Sequence, residues 1–300
     1  MSNLSVLFDA PGRRGRRRHN AYAAITVVVA LAVLAWVVMR FNAKDQLSGA
    51  KWSPFLHWSV WQNYLLIGLG HTLIAAAVAI VLALLGGLLL GMGRMSDHAW
   101  LRWPCTVFIE FFRAVPVLLM MYFTFKLYNQ YTIFSPGVRP LAATVTGLTF
   151  YNASVIAEVL RSGVASLPAG QREAGLSIGL RAPQVLRAIL LPQAFTAMMP
   201  ILVSQLVIVL KDSALGAAIT YDELLNWAQT LGSAFSNTLP ALIVAAAVFI
   251  LLNYGLSKLA ERLEQRLRRR GRPTVDGEPL AGEPDVGYPD MRFNTSTGAG

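Results

Sequence analysis

The chain has 300 residues, of which 55% are hydrophobic and 14% are charged. Soluble domains usually carry about 25% charged residues, so this composition excludes a disordered protein and argues against an ordinary soluble enzyme. The formal net charge is +10, which either nucleic-acid binding or basic cytoplasmic loops would explain. The positions of the basic residues favour cytoplasmic loops, and no nucleic-acid partner is predicted.

Three stretches are too long and too apolar for a soluble core, because residues 63–93, 188–210 and 224–257 contain no Asp, Glu, Lys or Arg. One bilayer crossing needs about 20 apolar residues. The sequence therefore predicts an all-α polytopic membrane protein. In chain order we place six transmembrane helices at 21–39, within 63–93, and at about 104–125, 140–162, 192–210 and 239–256.

The first predicted span follows the basic run 13–18 and could be a signal peptide or a retained anchor. Its apolar core is long for a signal peptide and no small-residue cleavage site follows it, which favours a retained anchor. The only cysteine, Cys105, excludes a disulfide within the chain.

Lys and Arg divide unevenly between the two sides of the membrane. With a cytoplasmic N-terminus, the inner segments contain 18 of these residues and the outer segments contain 6. The positive-inside rule then predicts that both termini are cytoplasmic. The inner segments are 1–20, 94–103, 161–187 and 258–272, and the outer ones are 40–62, 126–139 and 211–237.

The C-terminal segment after the last span divides into two parts. Residues 258–270 carry Leu259, Leu263 and Leu267 at helical spacing and predict a basic amphipathic helix. This helix either lies on anionic lipid or simply stops translocation. From residue 271 onward the sequence is rich in Gly, Pro and acidic residues, and we predict disorder there.

The longest inner segment, residues 162–192 (hereafter the inner loop), predicts a helix–turn–helix at the membrane surface. Pro168 and Gly170 open the first helix, and Glu173 falls in its first turns, where the helix dipole favours a carboxylate. Gly179 suits a left-handed helix end, and Pro183 suits the start of a second helix. A groove on a soluble subunit or the lipid surface would cover the apolar residues Ile178, Leu180 and Leu186.

Ionisable residues at membrane depth are candidates for function. Glu110 and Arg113 on the third span, and Glu158 and Arg161 on the fourth, are i,i+3 pairs near the inner ends. Each pair is either an interfacial ion pair or part of an inner gate.

Further polar residues occur deeper along the fourth and fifth spans. The pair Lys211 and Asp212 lies about 28 Å beyond Pro192 along a helix, toward the outer side. Lys211 would attract an acidic substrate, bind carbonyls at a helix end or bridge to another span. Asn152 and Gln205 would join helices by hydrogen bonds or line a polar path. No catalytic or metal site is predicted.

Four segments together resemble the permease subunits of ATP-binding-cassette importers, and the polar amino-acid subfamily in particular. The inner loop is similar to the pattern Glu-Ala-Ala, three residues, Gly, nine residues, Ile-x-Leu-Pro. The matching residues are Glu173, Ala174, Gly175, Gly179, Ile189, Leu191 and Pro192, with Gly175 in place of the usual Ala. The segments 110–116, 157–163 and 211–215 are similar to the subfamily motifs Glu-x-Phe-Arg-Gly-Thr-Pro, Ala-Glu-x-x-Arg-x-Gly and Lys-x-Thr-Ser-Leu.

The resemblance implies a five-helix type I importer core at 63–263, preceded by a basic N-terminus at 1–20 and an extra helix with an outer linker at 21–62. A basic and then disordered tail at 264–300 follows the core. The opening 7–12 and the extra helix look most like an actinobacterial glutamate permease subunit, which implies glutamate as the substrate. Translocation would follow alternating access at the cytoplasmic membrane.

The resemblance also implies partners. A cytoplasmic ATPase dimer would grip the inner loop, with Glu173, Ala174, Gly175, Ser177 and Gly179 as the docking residues. A sister permease, identical or different, and an extracytoplasmic solute-binding protein would complete the transporter within the lipid membrane. This chain carries no Gly-x-x-x-x-Gly-Lys-Ser/Thr phosphate loop, so ATP and Mg²⁺ are expected in the ATPase and no cofactor in this chain.

Two other functions remain open at this point. A self-contained secondary transporter or channel would need no ATPase, and such proteins often contain inverted repeats and broken helices. A membrane anchor or sensor would transport nothing. Neither alternative explains the spaced pattern in the inner loop.

Overall fold

The computed structural model describes residues 12–270, and within that range every regular element is helical. The all-α fold predicted from composition is confirmed. Two 3₁₀ segments span Ser53–Leu56 and Ser213–Ile219, and two π-helical turns span Trp61–Leu65 and Leu186–Leu190. The α-helices are α1 (Arg13–Ala43), α2 (Gly49–Trp52), α3 (Trp58–Val60), α4 (Leu66–Arg94), α5 (Ala99–Ala114), α6 (Val117–Gln130), α7 (Arg139–Ala165), α8 (Ala169–Ser177), α9 (Ala182–Val185), α10 (Leu191–Asp212), α11 (Leu224–Ala234) and α12 (Thr238–Arg270).

Four helical runs of the described chain are long and apolar enough to cross a membrane: Arg14–Ala43, Trp58–Arg94, Ala182–Ile219 and Thr238–Leu259. The bent pair of α5 and α6 makes a fifth if it counts as one span. Helix α7 has 27 residues, but its threonines, Asn152 and Glu158 make it less apolar. A helix occupies each predicted position, while the count of six crossings stays a prediction.

The third span was predicted as one stretch over about 104–125, and the structure divides that stretch between two helices. The chain bends by 104° between α5 and α6. Proline has no backbone N–H and disfavours helical conformation in the residue before it. Val115 is accordingly extended (φ −86°, ψ 127°), and Pro116 follows at ψ 133°. The helix therefore ends at Ala114 and restarts at Val117.

Helix α7 lies at the centre of the bundle and packs against α4, α5, α6 and α10. The α4 face toward it is built from small buried residues repeated every fourth position: Ala75, Ala79, Ala83, Gly87 and Gly91. Small residues at this spacing let two helix backbones approach closely in a membrane. The sequence analysis did not identify this stripe.

Gly87 marks the tightest point of the α4–α7 crossing. A Cβ atom built there would lie 2.6 Å from Cγ2 of Ile156 and 3.0 Å from the backbone oxygen of Ala153. Ile156 is stiff at χ1 because it is β-branched, and the carbonyl belongs to a helix. Neither atom can move away without shifting α7.

We expect Gly87→Ala to lower the free energy of unfolding by about 2 kcal/mol, because the added methyl overpacks the crossing. Gly70 on the same helix is the matched control, since a Cβ there meets no atom within 4 Å. Gly70→Ala should leave stability unchanged or raise it by up to about 1 kcal/mol. Thermal unfolding of the purified protein in detergent measures both, and equal effects would contradict the close crossing.

At the two ends of the described chain, the first helix lies outside the bundle core and the last helix extends beyond its apolar run. None of the apolar window of α1 is buried, so this helix adds nothing to the bundle core. Helix α12 continues from the last apolar run as far as Arg270, as predicted for that segment. The predicted disorder at 271–300 and the opening 1–11 lie outside the described residues.

Candidate functional site

The inner loop folds into two short helices that meet at a tight turn. Helix α8 ends in a Schellman motif: Leu180 N donates to Gly175 O at 3.2 Å, and Gly179 N donates to Leu176 O at 3.0 Å. This motif needs a left-handed residue, and Gly179 supplies it at φ +86°. The helix end predicted at Gly179 is therefore confirmed.

Helix α9 starts beside this turn and leads into the π-helical turn before α10. Arg181 N donates to Oε1 of Gln184 at 2.8 Å, which satisfies a free backbone donor at the helix start. Pro183 occupies the first turn of α9, where its missing N–H costs nothing. The loop is thus a defined helix–turn–helix in which local hydrogen bonds satisfy the end of α8 and the start of α9.

The predicted docking residues divide into exposed and buried ones. Glu173, Ala174, Ser177 and Gly179 are exposed, whereas Gly175 is buried. A Cβ atom at Gly175 would lie 2.9 Å from Cγ2 of Val185 and 3.1 Å from Cδ1 of Ile189. Gly175 therefore packs α8 onto the second half of the loop instead of facing outward.

The outward face of α8 combines a carboxylate with exposed aliphatic groups. Glu173 is the fifth residue of α8, and Oγ of Ser177 donates to its backbone oxygen at 2.9 Å. Ile178 at the helix end is 76% exposed, and Leu176 is also exposed. Large aliphatic side chains on a rigid, polar-rimmed surface are typical of a protein-docking site.

The two predicted i,i+3 pairs join through a residue that the sequence analysis counted only as a loop charge. Arg94, the last residue of α4, bonds Oε1 of Glu110 and Oε2 of Glu158, each at 2.8 Å. Arg161 bonds Glu158 at 2.6 Å, and Arg113 lies 3.7 Å from it. We name these five residues, three arginines and two glutamates, the inner charge cluster.

The inner charge cluster ties together the C-terminal ends of α4, α5 and α7. Glu158 is its centre because it contacts all three arginines and its side chain is 20% exposed. Glu110 lies at the edge, with 55% of its side chain exposed. The sequence pairs were therefore parts of one interhelical network rather than two separate surface bridges.

Asn152 and Gln205 form a side-chain hydrogen bond with each other in the bundle interior. Nε2 of Gln205 donates to Oδ1 of Asn152 at 2.6 Å, and Nδ2 of Asn152 donates to the Leu148 oxygen at 2.7 Å. Both side chains are buried. The pair thus joins α7 to α10, and its role in a substrate path stays a prediction.

Lys211 and Asp212 are the last two residues of helix α10, at its end away from the inner loop. Lys211 is exposed and Asp212 is partly buried, and across residues 12–270 neither takes part in a salt bridge. An exposed ammonium group at this end can interact with an approaching anion. The structure does not bring Lys211 together with the inner charge cluster.

Helix α11 is anchored by residues that were not among the predicted site residues. Glu223 is buried and caps α11, accepting a hydrogen bond from Asn226 N at 2.8 Å. Thr72 on α4 accepts from Leu224 N at 3.0 Å, and the His71 ring lies 2.7 Å from the Asp222 oxygen. An acidic residue directly before an apolar helical run was the available sequence signal for this cap.

Comparison with known families identifies the transport module. The family model described as the inner membrane component of binding-protein-dependent transport systems matches residues 83–269. That range begins after α1 and includes the inner charge cluster and the inner loop. The family predicted from the loop pattern is therefore confirmed.

Individual relatives agree with the family match. The chain is 47% identical over 247 residues to the glutamate transport system permease protein GluD of Corynebacterium glutamicum, covering 82% of this chain and 90% of that protein. It is 35% identical to the probable glutamine ABC transporter permease protein GlnP of Bacillus subtilis, covering 69% and 93%. The Escherichia coli glutamate/aspartate import permease protein GltK is 26% identical, covering 68% and 93%.

Solved structures share the fold. An amino acid ABC transporter crystallised with histidines matches with a TM-score of 0.63 and 25% identity, covering 69% of this chain and 95% of that one. The methionine ABC transporter MetNI matches with a TM-score of 0.56 and 20% identity, covering 70% and 97%. At that lower identity the MetNI match shows the fold alone.

Proposed function

Because the chain belongs to the family of inner membrane components of binding-protein-dependent transport systems, we propose that it is the permease subunit of an ATP-driven importer of a polar amino acid. It is a multi-pass membrane protein that forms the path across the cytoplasmic membrane. Its termini lie in the cytoplasm. ATP and Mg²⁺ bind to a separate ATPase subunit, and this chain catalyses no reaction.

The exposed face of α8 carries this proposal. Its carboxylate and aliphatic groups stand on a loop whose turn between α8 and α9 is closed by local hydrogen bonds and whose interior is packed by Gly175. A rigid docking helix transmits force, whereas a mobile loop would absorb it. A cytoplasmic ATPase dimer grips Glu173, Ala174, Ser177 and Gly179, and its closure drives alternating access.

The inner charge cluster is suited to respond to movement of the inner loop. It holds α4, α5 and α7 together next to the inner loop through charge-assisted hydrogen bonds. Movement of α8 is passed to α7 and α10, the helices that the inner loop connects. The cluster thereby acts as the inner gate that a sister permease completes.

The proposed substrate is glutamate, delivered by an extracytoplasmic solute-binding protein. This proposal is supported by the similarity to GluD and to GltK, whose names state glutamate transport and glutamate/aspartate import. The exposed cation of Lys211 at the outer side suits an acidic substrate. Competition uptake tests the substrate. A deletion strain complemented with this gene is given labelled glutamate, glutamine, histidine and arginine, and a preference for arginine or histidine would contradict glutamate as the substrate.

Charge reversal on α8 tests the docking role. We expect Glu173→Arg to reduce co-purification of the ATPase at least about ten-fold, because the new guanidinium group would face the charge that pairs with the Glu173 carboxylate in the docked state. ATP-driven uptake in proteoliposomes should fall with it, while membrane insertion stays unchanged.

The matched control for this test is Glu261→Arg on α12. Glu261 is exposed and forms a salt bridge with Lys258 at 2.9 Å, a surface pair of little energetic value. The Glu261→Arg variant should copurify with the ATPase and transport normally. Normal ATPase binding by the Glu173 variant, or uptake driven by an ion gradient without ATP, would overturn the proposal.

A further inference from the structure

A cavity of about 650 Å³ separates the inner loop from the junction of α4 and α5. None of the five residues of the inner charge cluster lines it. Nor do the exposed docking residues Glu173, Ala174, Ser177 and Gly179. The cavity is therefore distinct from both parts of the candidate site.

The lining of the cavity divides by chemistry. One part is aliphatic and comes from the ends of α4, α5 and the π-helical turn, with Leu89, Leu90, Met92, Leu101 and Leu190. The other part is polar, with Ser96, Asp97, His98, Arg172 and Arg187. A ligand with a hydrocarbon portion and a polar head would match both parts.

The position of the cavity places it at the bilayer interface. The apolar run of α4 ends at Arg94, next to the cavity lining. Trp100 and Trp103, in the first turns of α5, are 74% and 71% exposed. Exposed tryptophan is enriched at the level of lipid headgroups, so the aliphatic part faces the acyl region and the polar part faces the headgroups.

The charges select the sign of the headgroup. Arg172 and Arg187 provide two positive charges against the single carboxylate of Asp97. Among the side chains that the structure describes, neither arginine forms a salt bridge with a carboxylate. Guanidinium groups bind phosphate oxygens in a bidentate manner and are weakly hydrated.

We propose that this cavity binds one anionic phospholipid, with an acyl chain against Leu89 and Leu101 and the phosphate against Arg172 and Arg187. Arg172 belongs to α8, and Arg187 belongs to the π-helical turn before α10. The lipid therefore links the inner loop to the α4–α5 junction.

Native mass spectrometry of the transporter with phosphatidylglycerol and phosphatidylcholine tests this proposal without measuring transport. Arg172→Gln and Arg187→Gln should each weaken phosphatidylglycerol binding about five-fold, the effect of one basic residue at an anionic surface. Arg181→Gln is the matched control, because Arg181 is exposed on the same loop and does not line the cavity. Its binding should equal that of the unmodified protein.

A second variant tests the aliphatic part independently. Leu186 is half-buried in the lining. Leu186→Trp places a bulky indole ring there, which should exclude the acyl chain and reduce retention of phosphatidylglycerol. Equal losses in all three arginine variants would mean a diffuse basic surface and overturn the site. Displacement of the lipid by millimolar inorganic phosphate or by glutamate would overturn it as well.

Discussion

Replacing Glu158 with glutamine is expected to lower the free energy of unfolding by about 3 kcal/mol. Its carboxylate lies 2.6 Å from Arg161, 2.8 Å from Arg94 and 3.7 Å from Arg113. The neutral amide leaves three guanidinium groups facing a single carboxylate at the inner ends of three helices. The melting temperature of the purified protein should fall by about 8 °C.

Glu110→Gln is the matched control because it removes the same charge from the same network. Glu110 is 55% exposed and shares only Arg94 at close range, with Arg113 at 3.9 Å. Water screens an exposed pair, so the loss should stay below about 1 kcal/mol. Equal losses for the two variants would show that Glu158 is not the centre of the inner charge cluster.

The second large effect concerns pH and the buried carboxyl group of Glu223. This residue lies between the apolar runs that end at Ile219 and begin at Thr238. Burial raises the pKa of Glu223 to about 7 from its ordinary 4.5. The folded protein therefore holds this proton more tightly than the unfolded chain does. The contribution of Glu223 to stability should therefore be largest below pH 4.5 and should decrease by about 3 kcal/mol as the pH rises to about 7.

Glu223→Gln removes the titration while keeping an oxygen that can accept from Asn226 N. Its stability should not show this decrease between pH 4.5 and 7, so the variant gains on the native protein as the pH rises. Thermal unfolding at a series of pH values measures the difference. Parallel curves for the two proteins would mean that the Glu223 pKa is not raised.

Local signals in the sequence predicted much of the fold. Each apolar run corresponds to a helix, because lipid leaves the backbone no other way to satisfy its hydrogen bonds. The end of α8 at Gly179 followed from glycine's access to left-handed conformation. Pro116 is also a local signal for the break after Ala114, but the prediction of the third span rested on the apolar character of residues 104–125.

Contacts between distant segments could not be predicted in the same way. Arg94 and Glu158 are 64 positions apart, and no spacing rule connects them. Gly175 was a docking candidate by its place in the loop pattern, while only the packing of Val185 shows that it faces inward. The Asn152–Gln205 bond likewise depends on how two helices are rotated.

The small-residue stripe along α4 has a mechanical consequence. Its Ala and Gly positions bring the α4 and α7 backbones together, and a Cβ atom at Gly87 would lie 2.6 Å from Cγ2 of Ile156. We therefore expect α4 and α7 to move as one rigid unit. The hinge available to this subunit is the elbow at Val115–Pro116, where the helical backbone is already interrupted.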